Sequence, residues 1–161
     1  MTAFALVVPF ADLARVVDEL REETCLTKPS HGMPPHVTLL VPSPGDEGAI
    51  AKQLAPFVPF EVAFTGLDRF PGTLWLAPDP VEPFRAMTAA LVARFPEHQP
   101  YGGMFARVVP HLTVAQADFE AAAAELGPRL PLRSRATSAV LLQQGPAERW
   151  NEVATFALEL G

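Results

Sequence analysis

One five-residue pattern occurs twice in this chain, as Pro35-His36-Val37-Thr38-Leu39 and as Pro110-His111-Leu112-Thr113-Val114. The copies stand 75 positions apart in a chain of 161 residues, so each half of the sequence holds one. Alternation of polar and aliphatic residues is the signature of a β-strand that is buried on one side. In such a strand His36 and Thr38 share a face, about 7 Å apart by the strand rise, while Val37, Leu39 and Val41 point into a core. In the second copy His111 and Thr113 share a face, over Leu112 and Val114. Two strands of this kind require two cores or one shared core, with two polar faces free to meet.

The surrounding pattern repeats as well. Ala3 to Val8 reads as a buried strand closed by Pro9, and Ala11 to Glu23 as a helix with Leu13, Val16, Val17 and Leu20 on one face. Thr27 to Pro34 reads as a loop and His36 to Val41 as the first motif strand. Asp46 opens a short helix through Ile50 and Leu54, which Pro56 ends. Phe60 to Leu67 and Thr73 to Leu76 form a strand pair turning at Arg69-Phe70-Pro71-Gly72. A longer helix from Asp79 or Pro80 buries Phe84, Met87, Leu91 and Phe95. After the Pro100 to Gly103 loop comes the second motif strand, Val108 to Ala115. An alanine-rich helix capped by Asp118 follows and ends at Gly127-Pro128. Ala139 to Gln143 and Val153 to Leu160 are the final strands. Short strand-to-strand links favour antiparallel pairing. The expected fold class is therefore α+β: bilobal, with pseudo-twofold duplicated antiparallel sheets, flanking helices and a central cleft. Residues 1–161 carry no linker or low-complexity tract and read as one domain.

Composition narrows the function. Hydrophobic residues make up 49% and charged residues 19%, which suits a globular domain rather than a disordered one. The net charge is −6, with ten Arg but only Lys28 and Lys52. Broad binding to a nucleic-acid backbone needs a basic surface, so no extended nucleic-acid surface is expected. Cys25 is the sole cysteine, which removes intramolecular disulfides and cysteine metal clusters. No apolar stretch approaches the ~20 residues of a membrane span, and Ala3 to Phe10 lacks the form of a signal peptide. The expectation is a cytoplasmic protein with no membrane partner, monomeric by default.

The duplicated pair suits chemistry at phosphorus. Displacement there needs a base for the attacking oxygen and an acid for the leaving one, and histidine serves as either near neutral pH. Threonine hydroxyls can donate to the non-bridging oxygens, where negative charge accumulates. Neither role calls for a metal or a cofactor. An isolated His-x-Thr is ordinary strand sequence; the duplication at equivalent points of a repeated element order gives it weight.

At these residues the chain resembles the 2H phosphoesterase superfamily, and within it the bacterial 2'-5' RNA ligase-like branch. The resemblance rests on Met33-Pro34-Pro35-His36-Val37-Thr38-Leu39-Leu40, Leu74-Trp75-Leu76-Ala77-Pro78, Pro83-Phe84-Arg85, and Tyr101-Gly102-Gly103 leading to Pro110-His111-Leu112-Thr113-Val114-Ala115. It spans Ala3 to about Phe156. It implies a bilobal fold with His36, Thr38, His111 and Thr113 in a central cleft. It also implies metal-independent hydrolysis of a 2',3'-cyclic phosphate, or the related making and breaking of 2'-5' linkages. His111 would activate water, His36 would protonate the leaving 3' oxygen, and Thr38 and Thr113 would bind phosphate. The acidic, lysine-poor composition directs the expected partner toward a small phosphorylated substrate or a short RNA end.

Further candidates surround the motifs. Arg107 can pair with phosphate from the cleft rim, and Tyr101 and Phe105 can stack a base. Arg129, Arg133 and Arg135 form the one basic cluster, read chiefly as surface. His31 and His98 receive no chemical role, Cys25 reads as a packing residue, and a zinc site from His31, His36 and His111 lacks a convincing fourth ligand. Two other functions use the same residues: a nucleotide- or RNA-end-binding module without turnover, and a ligase joining a cyclic phosphate to a 5' hydroxyl.

Overall fold

The computed structural model describes residues 3–103 and 108–160. It is an α+β structure with two four-stranded antiparallel sheets and four helices among the described residues. In chain order the elements are β1 (Phe4–Pro9), α1 (Ala14–Thr24), β2 (His36–Leu40), α2 (Glu47–Leu54), β3 (Phe60–Phe70), β4 (Thr73–Asp79), α3 (Glu82–Arg94), β5 (Leu112–Ala115), α4 (Phe119–Leu126), β6 (Leu132–Ala136), β7 (Ser138–Gln144) and β8 (Trp150–Ala157). The first sheet runs β2-β1-β7-β8 and the second β5-β4-β3-β6. Each motif strand is thus an edge strand, and β2 and β5 lie against each other where the lobes meet.

The lobes are not the two halves of the chain. The C-terminal hairpin β7–β8 returns to pair with β1, completing the first sheet around its N-terminal strands. The helices are exchanged in turn. α1, which connects two strands of the first sheet, packs on β5 of the second, and α3 packs on β2 of the first. Thr88 on α3 donates its hydroxyl to the Leu39 carbonyl at 2.7 Å, and Ser134 on β6 donates to the Asp12 carboxylate beside α1 at 2.8 Å. One continuous core links the lobes, from Leu6, Val8 and Val37 to Val62, Leu74, Leu76 and Leu112. At its centre Phe10 packs edge-on against Phe64 and Phe84, with ring centroids 5.2 and 6.3 Å away. Burying these rings side by side adds attraction beyond the area removed from water.

Several boundaries differ from the sequence reading. β6 is a strand that the sequence reading leaves unassigned. It alternates in strict period two, with Leu132, Ser134 and Ala136 buried and Arg133 and Arg135 exposed. Its inward residues are small or polar, so the hydrophobic signal is weak. α3 begins at Glu82 because β4 continues to Asp79. The second motif strand begins at Leu112 rather than Val108. Asp46 caps α2 by accepting from the Ala49 amide at 3.1 Å, as expected. Asp118 does not cap α4 through its side chain; it takes a left-handed conformation, φ 52°, and only its carbonyl joins the helix, accepting from the Ala122 amide at 3.0 Å.

Candidate functional site

Both motif strands carry the same irregularity. Across β1 and β2, Leu6 pairs with Leu40 and Val7 with Thr38, so Leu39 is an extra residue in β2. Across β4 and β5, Leu74 pairs with Ala115 and Trp75 with Thr113, so Val114 is the extra residue in β5. A bulge interrupts alternation. After each threonine two successive residues, Leu39 and Leu40 or Val114 and Ala115, enter the core. The next residue, Val41 or Gln116, returns to the polar face. Val41 therefore lines the cleft, a correction to its expected place in the core.

The two polar faces meet in a cavity of about 650 Å³, a size that suits a small-molecule ligand. His36, Thr38, His111 and Thr113 all line it, as does Tyr101. The first lobe contributes an apolar wall of Ala5, Val7, Met33, Val41 and Trp150, and the second contributes Phe70, Pro71 and Thr73.

The two imidazoles are held alike. His36 Nδ1 lies 2.8 Å from the Pro34 carbonyl and His111 Nδ1 lies 2.7 Å from the Val109 carbonyl. A carbonyl only accepts, so each Nδ1 carries the proton and each Nε2 keeps its lone pair. The carbonyl in each case belongs to the residue two positions earlier, so the motif's own local geometry sets the tautomer.

Their surroundings differ. His111 packs against Phe70 and Trp75, with centroids 5.1 and 5.7 Å away. His36 lies near Arg21, a buried guanidinium that donates to the Asp18 carboxylate at 2.6 Å and to the Met33 carbonyl at 2.7 Å. Burial pushes the His36 pKa down to about 4; the Pro34 carbonyl opposes the shift, and the charges of Arg21 and His111 add to it. Burial also lowers the His111 pKa, against the Val109 carbonyl. Both rings are neutral in the free protein near pH 7.

Tyr101 reaches the site from the loop after α3. Its amide donates to the Val41 carbonyl at 2.6 Å, and its phenol hydrogen-bonds Thr38 and is raised in pKa by burial. The expected stacking residue thus stands beside the threonine and helps to orient it. The left-handed conformations of Tyr101, Gly102 and Gly103 make the tight turn that brings it there.

Phe105 and Arg107 lie outside the described residues. Arg133 and Arg135 sit on β6, the far edge of the second sheet from β5, where Arg135 pairs with Glu61. Neither they nor Arg129 line the cavity, so the basic cluster is separate from it. His31 and His98 are also absent from the lining. Among the described residues, no three His, Cys, Asp or Glu side chains are grouped to hold a metal. Cys25 is buried and its thiol pKa is raised by that burial. No helix is long and apolar enough to cross a membrane among the described residues. Sequence reasoning did not single out Met33, Trp150, Phe70 or Gln116 as site residues, because their approach depends on how loops and bulges close.

The sequence profile of the 2'-5' RNA ligase superfamily matches residues 9–148. No curated protein sequence gives a significant match. Among solved structures, LigT of E. coli in complex with NADP+ is similar at 18% identity and a TM-score of 0.60, over 99% of this chain and 97% of that one. A phosphoesterase structure is similar at 17% identity and a TM-score of 0.60, over 99% and 98%. The protein TT0787 of Thermus thermophilus is similar at 18% identity and a TM-score of 0.57, over 98% and 97%. At these identities the structural likeness speaks to the fold.

Proposed function

The chain belongs to the 2'-5' RNA ligase superfamily, and from that membership we propose that it hydrolyses a 2',3'-cyclic phosphate on a nucleotide or short RNA end by two-histidine acid–base catalysis. The observation that carries this reading is the matched pair of imidazoles. Both line one cleft, both donate Nδ1–H to a backbone carbonyl, and both have a threonine hydroxyl beside them.

In the reaction one Nε2 takes a proton from water as the water oxygen bonds to phosphorus. The P–O3' bond breaks, and the other imidazole, protonated, gives its proton to O3'. The product is a 2'-phosphate with a free 3' hydroxyl. Thr38 and Thr113 donate to the non-bridging oxygens as negative charge grows there. A bound phosphodiester anion raises both histidine pKa values, offsetting the burial that lowers them in the free protein. The two rings titrate as a coupled pair. E. coli LigT has been crystallised with 3'-AMP, ATP and NADP+, which supports a ligand with a nucleoside moiety here by likeness.

Burial above all, with the Arg21 charge adding to it, makes His36 the harder ring to protonate. This favours His36 as the base and His111 as the acid, opposite to the order that the family resemblance implies. The test uses 2',3'-cyclic AMP with product analysis by mass spectrometry, in excess EDTA. Wild type should yield 2'-AMP, and His36→Ala or His111→Ala should each lose roughly 10²–10⁴-fold. A 4-nitrophenyl phosphodiester, whose leaving group needs no proton, should largely restore His111→Ala and leave His36→Ala inactive. Restoration of His36→Ala instead would reverse the order. Collapse under EDTA with rescue by zinc would sink the metal-free scheme. Binding without turnover would make the protein a recognition module, and joined products would make it a ligase.

A further inference from the structure

We propose that this cleft selects phosphodiesters bearing one negative charge over phosphates bearing two or more, and that Gln116 is its specificity-determining neutral donor. The inference rests on the phosphoesterase reading above and adds the charge class of the substrate.

Gln116 follows the β5 bulge and lines the cavity on the same face as Thr113. Its orientation is fixed from outside the cavity by the end of α1. The Leu26 backbone amide donates to Gln116 Oε1 at 2.6 Å, and the Gln116 backbone amide donates to Thr24 Oγ1 at 3.2 Å. With Oε1 occupied, the group that remains to meet a ligand is the Nε2 amide, which only donates. The equivalent position in the other lobe is Val41, so the side-chain amide of Gln116 has no counterpart there.

Beyond the single imidazolium that the proton transfer requires, the described lining residues supply no countercharge: none is Lys, Arg, Asp or Glu. The donors from Thr38, Thr113 and Gln116 are all neutral, and apolar side chains such as Met33, Val41 and Trp150 make up much of the wall. Neutral donors can satisfy the oxygens of a monoanion. The cost of moving an ion into a poorly polar site rises as the square of its charge, about fourfold from one charge to two by the Born relation. Charge-assisted pairing with a cation would offset that cost, and the one imidazolium of the acid–base pair balances a single negative charge and no more. Selectivity then comes from the penalty on the more highly charged competitor. The same rule clears the site after each turnover. Opening a cyclic diester creates a monoester whose second ionisation lies near 6, so at neutral pH the product acquires a second charge and is expelled.

The experiment compares two probes that differ by one charge, 2'-AMP and its phosphate methyl ester, with ATP as a third, by calorimetry at pH 7.5. Wild type should bind the ester at least ~10-fold more tightly than 2'-AMP or ATP, a difference of about 1.4 kcal/mol. Gln116→Lys should erase or invert that ratio. Gln116→Met should raise KM for 2',3'-cyclic AMP with little change in kcat, the mark of lost uniform binding. Equal or tighter wild-type binding of 2'-AMP overturns the proposal, whichever side chain supplies the cation, Arg107 included. An ester preference that persists unchanged in Gln116→Lys overturns the role of Gln116. Turnover of cyclic AMP is measured in parallel: turnover with a dianion preference defeats charge selection alone, whereas an ester preference without turnover defeats the hydrolase reading and leaves the selection standing.

Discussion

His36 shows how a residue's chemistry is divided between its sequence neighbours and its tertiary surroundings. The hydrogen bond from Nδ1 to the Pro34 carbonyl is local and recurs between His111 and Val109. The depressed pKa is not local, since burial and the Arg21 charge arise from packing. It carries a stability consequence. An unfolded imidazole titrates near 6.5 and His36 in the fold near 4, so between these values the unfolded chain binds more protons. Stability must therefore fall as pH drops through that window and be unaffected by His36 above it. Thermal unfolding of wild type should lose stability more steeply from pH 6.5 to 4 than that of His36→Asn, which keeps a donor for the Pro34 carbonyl. Parallel curves would mean that His36 titrates normally. Histidine and threonine as the motif's polar pair were legible in the sequence; Arg21, which adds to the inequality of the two rings, was not.

At the level of strands and loops, alternation placed His36 with Thr38 and His111 with Thr113 correctly on shared faces. It failed just beyond the threonines. The bulges at Leu39 and Val114 shift the next residues by one face, and no side chain in the string announces them. β6 was missed for a related reason, because its buried face is Leu132, Ser134 and Ala136. The loop before β2 shows a close approach of the same hidden kind. Gly32 has φ +86°, and a Cβ there would lie 2.2 Å from the Trp150 carbonyl oxygen. Gly72 has a similar φ of +80° with nothing within 4 Å of such a Cβ. Gly72→Ala should cost only backbone strain, about 1–2 kcal/mol. Gly32→Ala adds a clash with backbone and should exceed it by on the order of 2 kcal/mol or more in urea unfolding. Equal losses would show that the loop yields freely.

For the protein in its entirety the decisive feature is the shared core. Phe10 follows β1 of the first sheet, Phe64 belongs to β3 of the second and Phe84 to α3, and the three rings meet. Phe10→Ala should cost about 3–5 kcal/mol, and the loss should reach both lobes at once. The two tryptophans report on one sheet each, Trp75 on the second and Trp150 on the first. Single-tryptophan variants, with the other changed to Phe, should give coincident urea midpoints with and without Phe10→Ala; separated midpoints would mean that the lobes unfold independently.

Local pattern was enough to establish the repeated strand motif, the pairing of each histidine with a threonine, the α+β class and the presence of two related lobes. These follow from periodicity and from short connections between strands, which act over a few residues. Three-dimensional packing was needed to return the C-terminal hairpin to the first sheet, to cross the helices between lobes, and to set Arg21, Gln116 and an apolar wall around the histidines. Those outcomes depend on which surfaces bury each other across the chain, a competition between distant segments that no short stretch of residues encodes.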